Sequence, residues 1–326
     1  MTLMGAVMTD TAIRRLPTPV SRLFASGLRF PEGPVAMDDG SVLVVEVRGG
    51  TLSRCAPDGA VSVVANVNPA GHGGANGAAV GPDGAVYITN NGGFYWSERN
   101  GFEIPTNFVT GSNLPPDYEG GWINRVDCNT GESKVLYRDC DGHRFTGPND
   151  IVFDAQGGFW FTDLGKSHER TIDKGGVYYA RPDGSKVERK VWPMWTPNGV
   201  GLSPDESTLY VAESMTGRLW AFDLTSPGVI APAERGHGGR CIANTLGHFD
   251  SLAVEANGNI VVAAISDGLC VVAPDGSDLH YVTMPDPMTT NVCFGGPDRR
   301  SAFVTLSGAG QVLEVEWPRA GLALNY

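Results

Sequence analysis

Glu32, Asn76, Asn149, Asn198, Asp250 and Asn291 occupy the same place in six copies of one pattern, and each is an acid or an amide. Carboxylate and amide oxygens are hard donors. Two acids and four amides brought to one point would make a site for a divalent cation, with the acids supplying the compensating charge. One Asn before Gly is an ordinary turn signal. Six aligned positions, none of them apolar, ask for a common purpose.

The pattern that must position them is clearest over 148–163, PNDIVFDAQGGFWFTD. Asn149 and Asp150 open an apolar run, Ile151-Val152-Phe153; a turn cluster follows, and then the β-rich Phe159-Trp160-Phe161-Thr162. This reads as strand, tight turn, strand, with the polar side chain at the mouth of the first strand. The other copies are PEGPVAMDDGSVLVVEV from 31, ANGAAVGPDGAVYITNN from 75, PNGVGLSPDESTLYVAES from 197, FDSLAVEANGNIVVAAI from 249 and TNVCFGGPDRRSAFVTLS from 290. The polar positions are 44, 73, 49, 52 and 41 residues apart. Four of these intervals match a four-stranded blade of about 40–50 residues. The expected fold is therefore an all-β, six-bladed β-propeller, whose innermost strands line a central channel and bring equivalent residues together on the axis.

The outer strands are legible as hairpins turning on Pro57-Asp58-Gly59, Asn129-Thr130-Gly131, Pro182-Asp183-Gly184 and Pro274-Asp275-Gly276. In the fourth copy, 219–223 begins the outer pair, but the return stretch up to 246 reads as loop. Residues 20–30 read as a strand that arrives before the first copy, and the last copy is one strand short. Pairing the N-terminal strand into the last blade closes the ring and leaves no open edge. Residues 1–19 read as a flexible N-terminal tail and 20–326 as a single propeller.

The long interval contains an insertion, 92–121, with Phe94, Tyr95, Trp96, Phe102, Phe108 and Tyr118 set among Gly, Pro and Asn. A long irregular segment in a compact domain usually serves function, and its aromatics argue against disorder. It is expected to wall or cover the axial site.

Composition narrows the partners. The chain has 326 residues, 41% hydrophobic, with no apolar run near the roughly 20 residues that span a bilayer. Net charge is −12, which argues against nucleic acid, a partner that needs a basic stripe. Six cysteines lack metal-ligand spacing, and several lie in strand-like runs, where a reduced Cys behaves as a small buried hydrophobe. The N-terminus has no basic region ahead of its short apolar patch, so a cytoplasmic protein is expected. Neither a nucleic-acid nor a membrane partner is expected, and nothing in the pattern specifies an oligomer. Gly-x-Ser-x-Gly, His-Glu-x-x-His and phosphate-loop patterns do not occur, which excludes serine-nucleophile, zincin and NTPase chemistry.

The ordered series Phe30-Pro31-Glu32-Gly33-Pro34, Gly147-Pro148-Asn149-Asp150, Thr196-Pro197-Asn198-Gly199 and Phe249-Asp250-Ser251 resembles the SMP-30/gluconolactonase/LRE-like family. The resemblance runs from about Val20 over nearly the whole chain and is closer to bacterial gluconolactonases and related lactonases than to the animal branch. It implies a six-bladed propeller with one divalent cation in the channel, held by Glu32, Asn149, Asn198 and Asp250. Animal members carry an Arg two residues before the first amide. Gly147 stands there in this chain, which removes a donor suited to a polyhydroxylated sugar ring.

Two carboxylates and two amide oxygens suit Ca²⁺ first, with Mg²⁺, Mn²⁺, Zn²⁺ or Fe²⁺ acceptable, and they leave positions open for water and substrate. The leading reading is a metal-dependent lactone hydrolase in which the cation polarises the carbonyl and Asp250, touching cation and water, takes the proton. Two alternatives use the same ring: a phosphotriesterase or arylesterase, and a non-enzymatic binding platform with a structural cation. Open coordination beside a water-side acid favours hydrolysis. Substrate contacts are expected from Asn76, His248 and His72 near the mouth and from Trp195, Phe94 and Trp96. Asp150, Asp163 and Glu213 read as turn or inter-blade hydrogen-bonding residues. Aromatic surface without the Arg points to a small lactone or ester with an apolar substituent.

Overall fold

Val42–Glu46, Val86–Asn90, Phe159–Asp163, Thr208–Glu213, Ile260–Ile265 and Ser301–Leu306 are buried almost end to end. An apolar strand without alternation is covered on both faces. In the computed structural model, which describes residues 14–68, 73–234, 236–245 and 247–326, the cover comes from neighbouring sheets. Tyr87 of the second sheet meets Phe153 of the third edge-on at 5.0 Å. Ile123, Phe145, Phe159, Phe161 and Tyr178 fill the same wedge. Full burial of one such large apolar side chain contributes about 1.5–3 kcal/mol. Stability therefore resides in wedges between sheets.

Among the described residues these sheets form six blades of a β-propeller. From the axis outward, the first blade is Pro31–Ala36, Val42–Glu46, Thr51–Cys55 and Val61–Asn66. The second is Ala75–Val80, Val86–Asn90, Trp122–Val126 and Ser133–Tyr137. The third is Pro148–Phe153, Phe159–Asp163, Gly175–Ala180 and Val187–Met194. The fourth is Pro197–Leu202, Thr208–Glu213, Arg218–Ser226 and Arg240–Asn244. The fifth is His248–Val254, Ile260–Ile265, Gly268–Val272 and Leu279–Val282. The sixth is Thr289–Gly295, Ser301–Leu306 and Gln311–Glu316, with Ser21–Ser26 outermost and antiparallel to Gln311–Glu316, Ser21 opposite Val315.

Three local expectations need correction. Part of the expected tail, Arg14–Leu16, is a strand running parallel to Leu279–Val282, because the fifth blade's outer edge offers unpaired backbone groups; residues 1–13 lie outside the described residues. The fourth blade does have a return strand, Arg240–Asn244, pairing with Arg218–Ser226 after an irregular connection. The insertion contains a short hairpin, Ser97–Arg99 with Phe102–Ile104. The six cysteines are free. No helix among the described residues is long and apolar enough to cross a membrane.

At the end of the channel away from the polar residues, the C-terminal segment crosses the inner strands. The Leu322 amide donates to Val254 O at 2.9 Å, Asn325 Nδ2 donates to Phe153 O at 3.2 Å, and the Tyr326 ring meets Phe153 at 6.0 Å. Between this segment and the polar ring lies a mainly apolar cavity of about 140 Å³ bordered by Val35, Val80, Val152, Leu202 and Val254.

Candidate functional site

Each polar position is the second or third residue of an inner strand, and after Glu32, Asn76 and Asn198 the following residue is a glycine that sets how closely the strands approach. A β-carbon on Gly33 would lie 2.7 Å from the Ala78 nitrogen, one on Gly77 2.5 Å from the Asn149 carbonyl oxygen, and one on Gly199 2.7 Å from the Asp250 carbonyl oxygen. Only glycine lets neighbouring inner strands meet this tightly. Hydroxyls on the second strands add cross-blade ties. Thr89 Oγ1 donates to the Asn149 carbonyl, Thr162 Oγ1 to Asn198 O at 2.5 Å, and Ser307 Oγ to Pro31 O at 2.6 Å. Asn291 Nδ2 donates to Glu32 Oε2 at 2.8 Å, joining the last blade to the first.

A second device fixes the entry to the inner strands. Three acids at the ends of second strands accept the amide three residues ahead of a candidate ligand. Glu46 takes Arg29 N at 2.7 Å, Asp163 takes Thr146 N at 2.8 Å, and Glu213 takes Trp195 N at 2.8 Å. Between amide and ligand, Phe30 and Thr196 hold left-handed backbones, φ 59° and 47°, conformations that cost a non-glycine residue about 1–3 kcal/mol. Gly147 holds the equivalent place in the third blade, where a β-carbon would sit 2.6 Å from Gly165 O. That backbone leaves no room for any longer side chain there.

Glu32, Asn76, Asn149, Asn198, Asp250 and Asn291 are all buried. Burial pushes Glu32 up to about 7 against hydrogen bonds from Thr290, Asn291 and Gly33. Asp150 is also pushed up to about 7, by burial and, less, by the charge of Glu32. Asp250 is raised well above the carboxylate range by burial, then by Glu32 and Asp150, while a hydrogen bond with Asn198 opposes the shift. The three carboxylates thus act on one another. Among the described residues none of them forms an ion pair. Asn149 Oδ1 is buried without a hydrogen-bond partner. Among the described residues no three His, Cys, Asp or Glu side chains gather into a metal site by themselves, so a cation here would need the amides as well. Unpaired buried carboxylates and an orphaned amide oxygen fit a hard divalent ion.

Asn198 Nδ2 donates to Ser214 Oγ at 3.0 Å and its Oδ1 lies 3.5 Å from Ser251 Oγ. Asn76 Oδ1 is occupied by Asn91 Nδ2 at 2.8 Å. Asp150 accepts Ile151 N at 2.9 Å and, across blades, Val200 N at 3.1 Å. Asp163 and Glu213 tie backbone as just described. His248 is exposed at the start of its inner strand, and Trp195 is 53% exposed. Phe94 and Trp96 are half-buried. His72 lies outside the described residues. Sequence reasoning missed Asn91, Ser214 and Lys166; only the Asn90-Asn91 doublet carried a signal.

The insertion lies on the face where the inner strands begin. Trp96 packs edge-on to Phe30 at 5.0 Å, Glu103 pairs with Arg48, and Phe102 abuts Gly308 of the sixth blade. On the other side Asn113 exchanges hydrogen bonds of 3.0 Å with Ser167 of the third blade, and Arg144 Nη1, in the short hairpin that leads into that blade, donates to Glu119 O at 2.7 Å.

The sequence model of the SMP-30/Gluconolactonase/LRE-like region matches residues 30–308. The chain belongs to this family. A gluconolactonase of Zymomonas mobilis is 27% identical over 315 residues, covering 87% of this chain and 78% of that one. The lactonase drp35 of Staphylococcus haemolyticus is 40% identical over 142 residues, 42% of each chain. Among solved structures, a gluconolactonase from Xanthomonas campestris superposes with TM-score 0.69 at 23% identity, covering 91% of this chain and 90% of that one. A calcium-binding regucalcin from Agrobacterium tumefaciens gives 0.68 at 17%, covering 95% and 99%. With both structures the shared feature is the propeller.

Proposed function

We propose that this SMP-30/gluconolactonase/LRE-like protein is a lactone hydrolase whose centre is the axial cluster, with a divalent cation held by Glu32, Asn149, Asn198 and Asp250. The observation that carries this reading is the group of buried carboxylates that act on one another without a cationic side chain, beside the orphaned Asn149 oxygen. The gluconolactonase and lactonase relatives support the reaction class. A hard ion such as Ca²⁺ bound there supplies a Lewis acid for the ester carbonyl and offsets charge growing on its oxygen.

The rest falls to the chain's own side chains. Asp250 is the base: water adds to the lactone carbonyl carbon as its proton passes to the carboxylate, and the ring C–O bond breaks. The proton then goes to the departing ring oxygen, giving a hydroxy acid. Asn76, fixed by Asn91, and Asn291, fixed on Glu32, orient water and substrate. The insertion, bridging the first, third and sixth blades across this face, walls the site from bulk water.

The substrate is a lactone with an apolar or aromatic substituent. Trp192, at the end of the third blade's outer strand, Trp195, just before the fourth blade's inner strand, and Met215 are 42%, 53% and 57% exposed. Met215 N donates to Thr196 Oγ1 at 3.0 Å, and the preceding Ser214 holds the Asn198 amide. Such surface takes apolar groups out of water at about 25 cal/mol per Å². Acid release measured on glucono-δ-lactone, aliphatic lactones and γ-phenyl-γ-butyrolactone is expected to rank the phenyl compound above the sugar in kcat/KM, with Trp195→Ala erasing most of the difference. A Trp195→Ala enzyme with lower Tm and the same ranking would refute this specificity.

A further inference from the structure

Lys166 is fully buried, three residues past the end of the third blade's second strand and outside the axial cluster. Its Nζ donates to Gly93 O at 2.6 Å and lies 3.8 Å from the centre of the Phe94 ring and 5.3 Å from that of Tyr118. Gly93 and Phe94 begin the insertion, and Tyr118 stands near its end. One ammonium therefore holds both roots of the segment. A cation over an aromatic face is attracted by the ring's quadrupole, more strongly where water is excluded. Burial pushes Lys166 well below the usual lysine range, and the carboxylates of Asp163 and Asp173 oppose that shift. Asp163 is otherwise satisfied by backbone amides of Thr146, Gly147 and Gly165, at 2.8, 2.6 and 3.1 Å, so the lysine is not needed to balance it.

The geometry points to Lys166 as a positioning residue that latches the insertion over the axial face and sets how substrate is held there. This rests on the axial face being the substrate face, but the latch itself is a mechanical claim. Through Gly93 and Phe94 it fixes Trp96, whose ring lies 6.2 Å from Phe94 and 5.0 Å from Phe30, two residues from Glu32. An ammonium reaching a carbonyl and two rings from a neighbouring blade makes the insertion's seat depend on one side chain. Without the lysine, Asp163 keeps its three backbone donors and Asp173 its contact with His168 Nε2 at 3.0 Å, so neither carboxylate is left without a partner. The latch can then be released without unfolding the ring.

The test is Lys166→Met in the full chain, followed by amide hydrogen exchange. The reporters are Tyr95, whose N–H donates to Asn113 O at 2.8 Å, and Asn113, whose N–H donates to Ser167 O at 3.0 Å. Exchange at both should accelerate at least tenfold, while the inner-strand amides keep their protection. With γ-phenyl-γ-butyrolactone, KM should rise about tenfold and kcat change less, the pattern of lost binding that ground and transition states share. Unchanged exchange at Tyr95 and Asn113 would overturn the latch, whatever KM does. Faster exchange with KM unchanged would overturn its role in holding substrate. If Lys166→Met unfolds the whole molecule, Phe94→Leu, which removes the ring beneath the ammonium, is judged by the same two amides. A wild-type protein that opens no lactone refutes the proposed activity and leaves the exchange result to decide the latch.

Discussion

Replacing Glu32 with Gln is expected to weaken divalent-ion binding on the axis by tenfold or more, about 1.4 kcal/mol or above. The side chain is held in place by the Gly33 amide at 3.0 Å and Asn291 Nδ2 at 2.8 Å, both on Oε2. Gln keeps the length and shape but removes one of the two charges assigned to the cation. Burial has already raised the cost of that charge, as the upward shift to about 7 records, so an ion is what makes the charged form worth holding. Calorimetric titration with Ca²⁺ measures the change directly. Equal affinity in the Gln variant would remove Glu32 from the ligand set.

Asp250→Asn should have the larger effect on turnover, a loss between roughly a hundredfold and ten-thousandfold in kcat, the range of general-base catalysis. The two variants separate holding the ion from moving the proton. At saturating Ca²⁺ the Glu32→Gln enzyme should recover much of its rate, because its defect is affinity. Asp250→Asn should not recover, because an amide cannot accept the proton of water. Steady-state rates at increasing Ca²⁺ make the comparison. Recovery of Asp250→Asn to the wild-type rate would make Asp250 a ligand only.

The six axial positions were legible because a repeat fixes them twice, by residue type and by period. The strand-turn-strand grammar placed each at the start of an inner strand, and a propeller brings such starts together. Glycines 33, 77 and 199 belong to the same signal, although their reason, contact with the next blade's backbone, becomes visible only in three dimensions. The acids Asp163 and Glu213 were legible as hydrogen-bonding residues but not as clamps on Thr146 and Trp195.

What was hidden is non-local or aperiodic. Arg14–Leu16 pairs with a strand more than 260 residues away, and no local pattern announces such a partner. Arg240–Asn244 is a short exposed strand after a Gly-rich connection, so it lacks the alternation that marks a strand. Lys166 is a lone cation whose carbonyl partner is 73 residues distant in sequence. The insertion's aromatics were visible as aromatics, but their route across three blades depends on contacts that spacing does not encode.

The central claim, a cation-dependent lactone hydrolase centred on the axial cluster, is tested most directly by acid release from γ-phenyl-γ-butyrolactone by the full-length protein before chelation, after chelation, and after Ca²⁺ is returned. The expected result is hydrolysis that falls to the uncatalysed rate on stripping and returns with Ca²⁺, with no return in Asp250→Asn. Hydrolysis undiminished in the stripped wild-type protein, or absent in all three states across the sugar, aliphatic and aromatic lactones, would contradict the account.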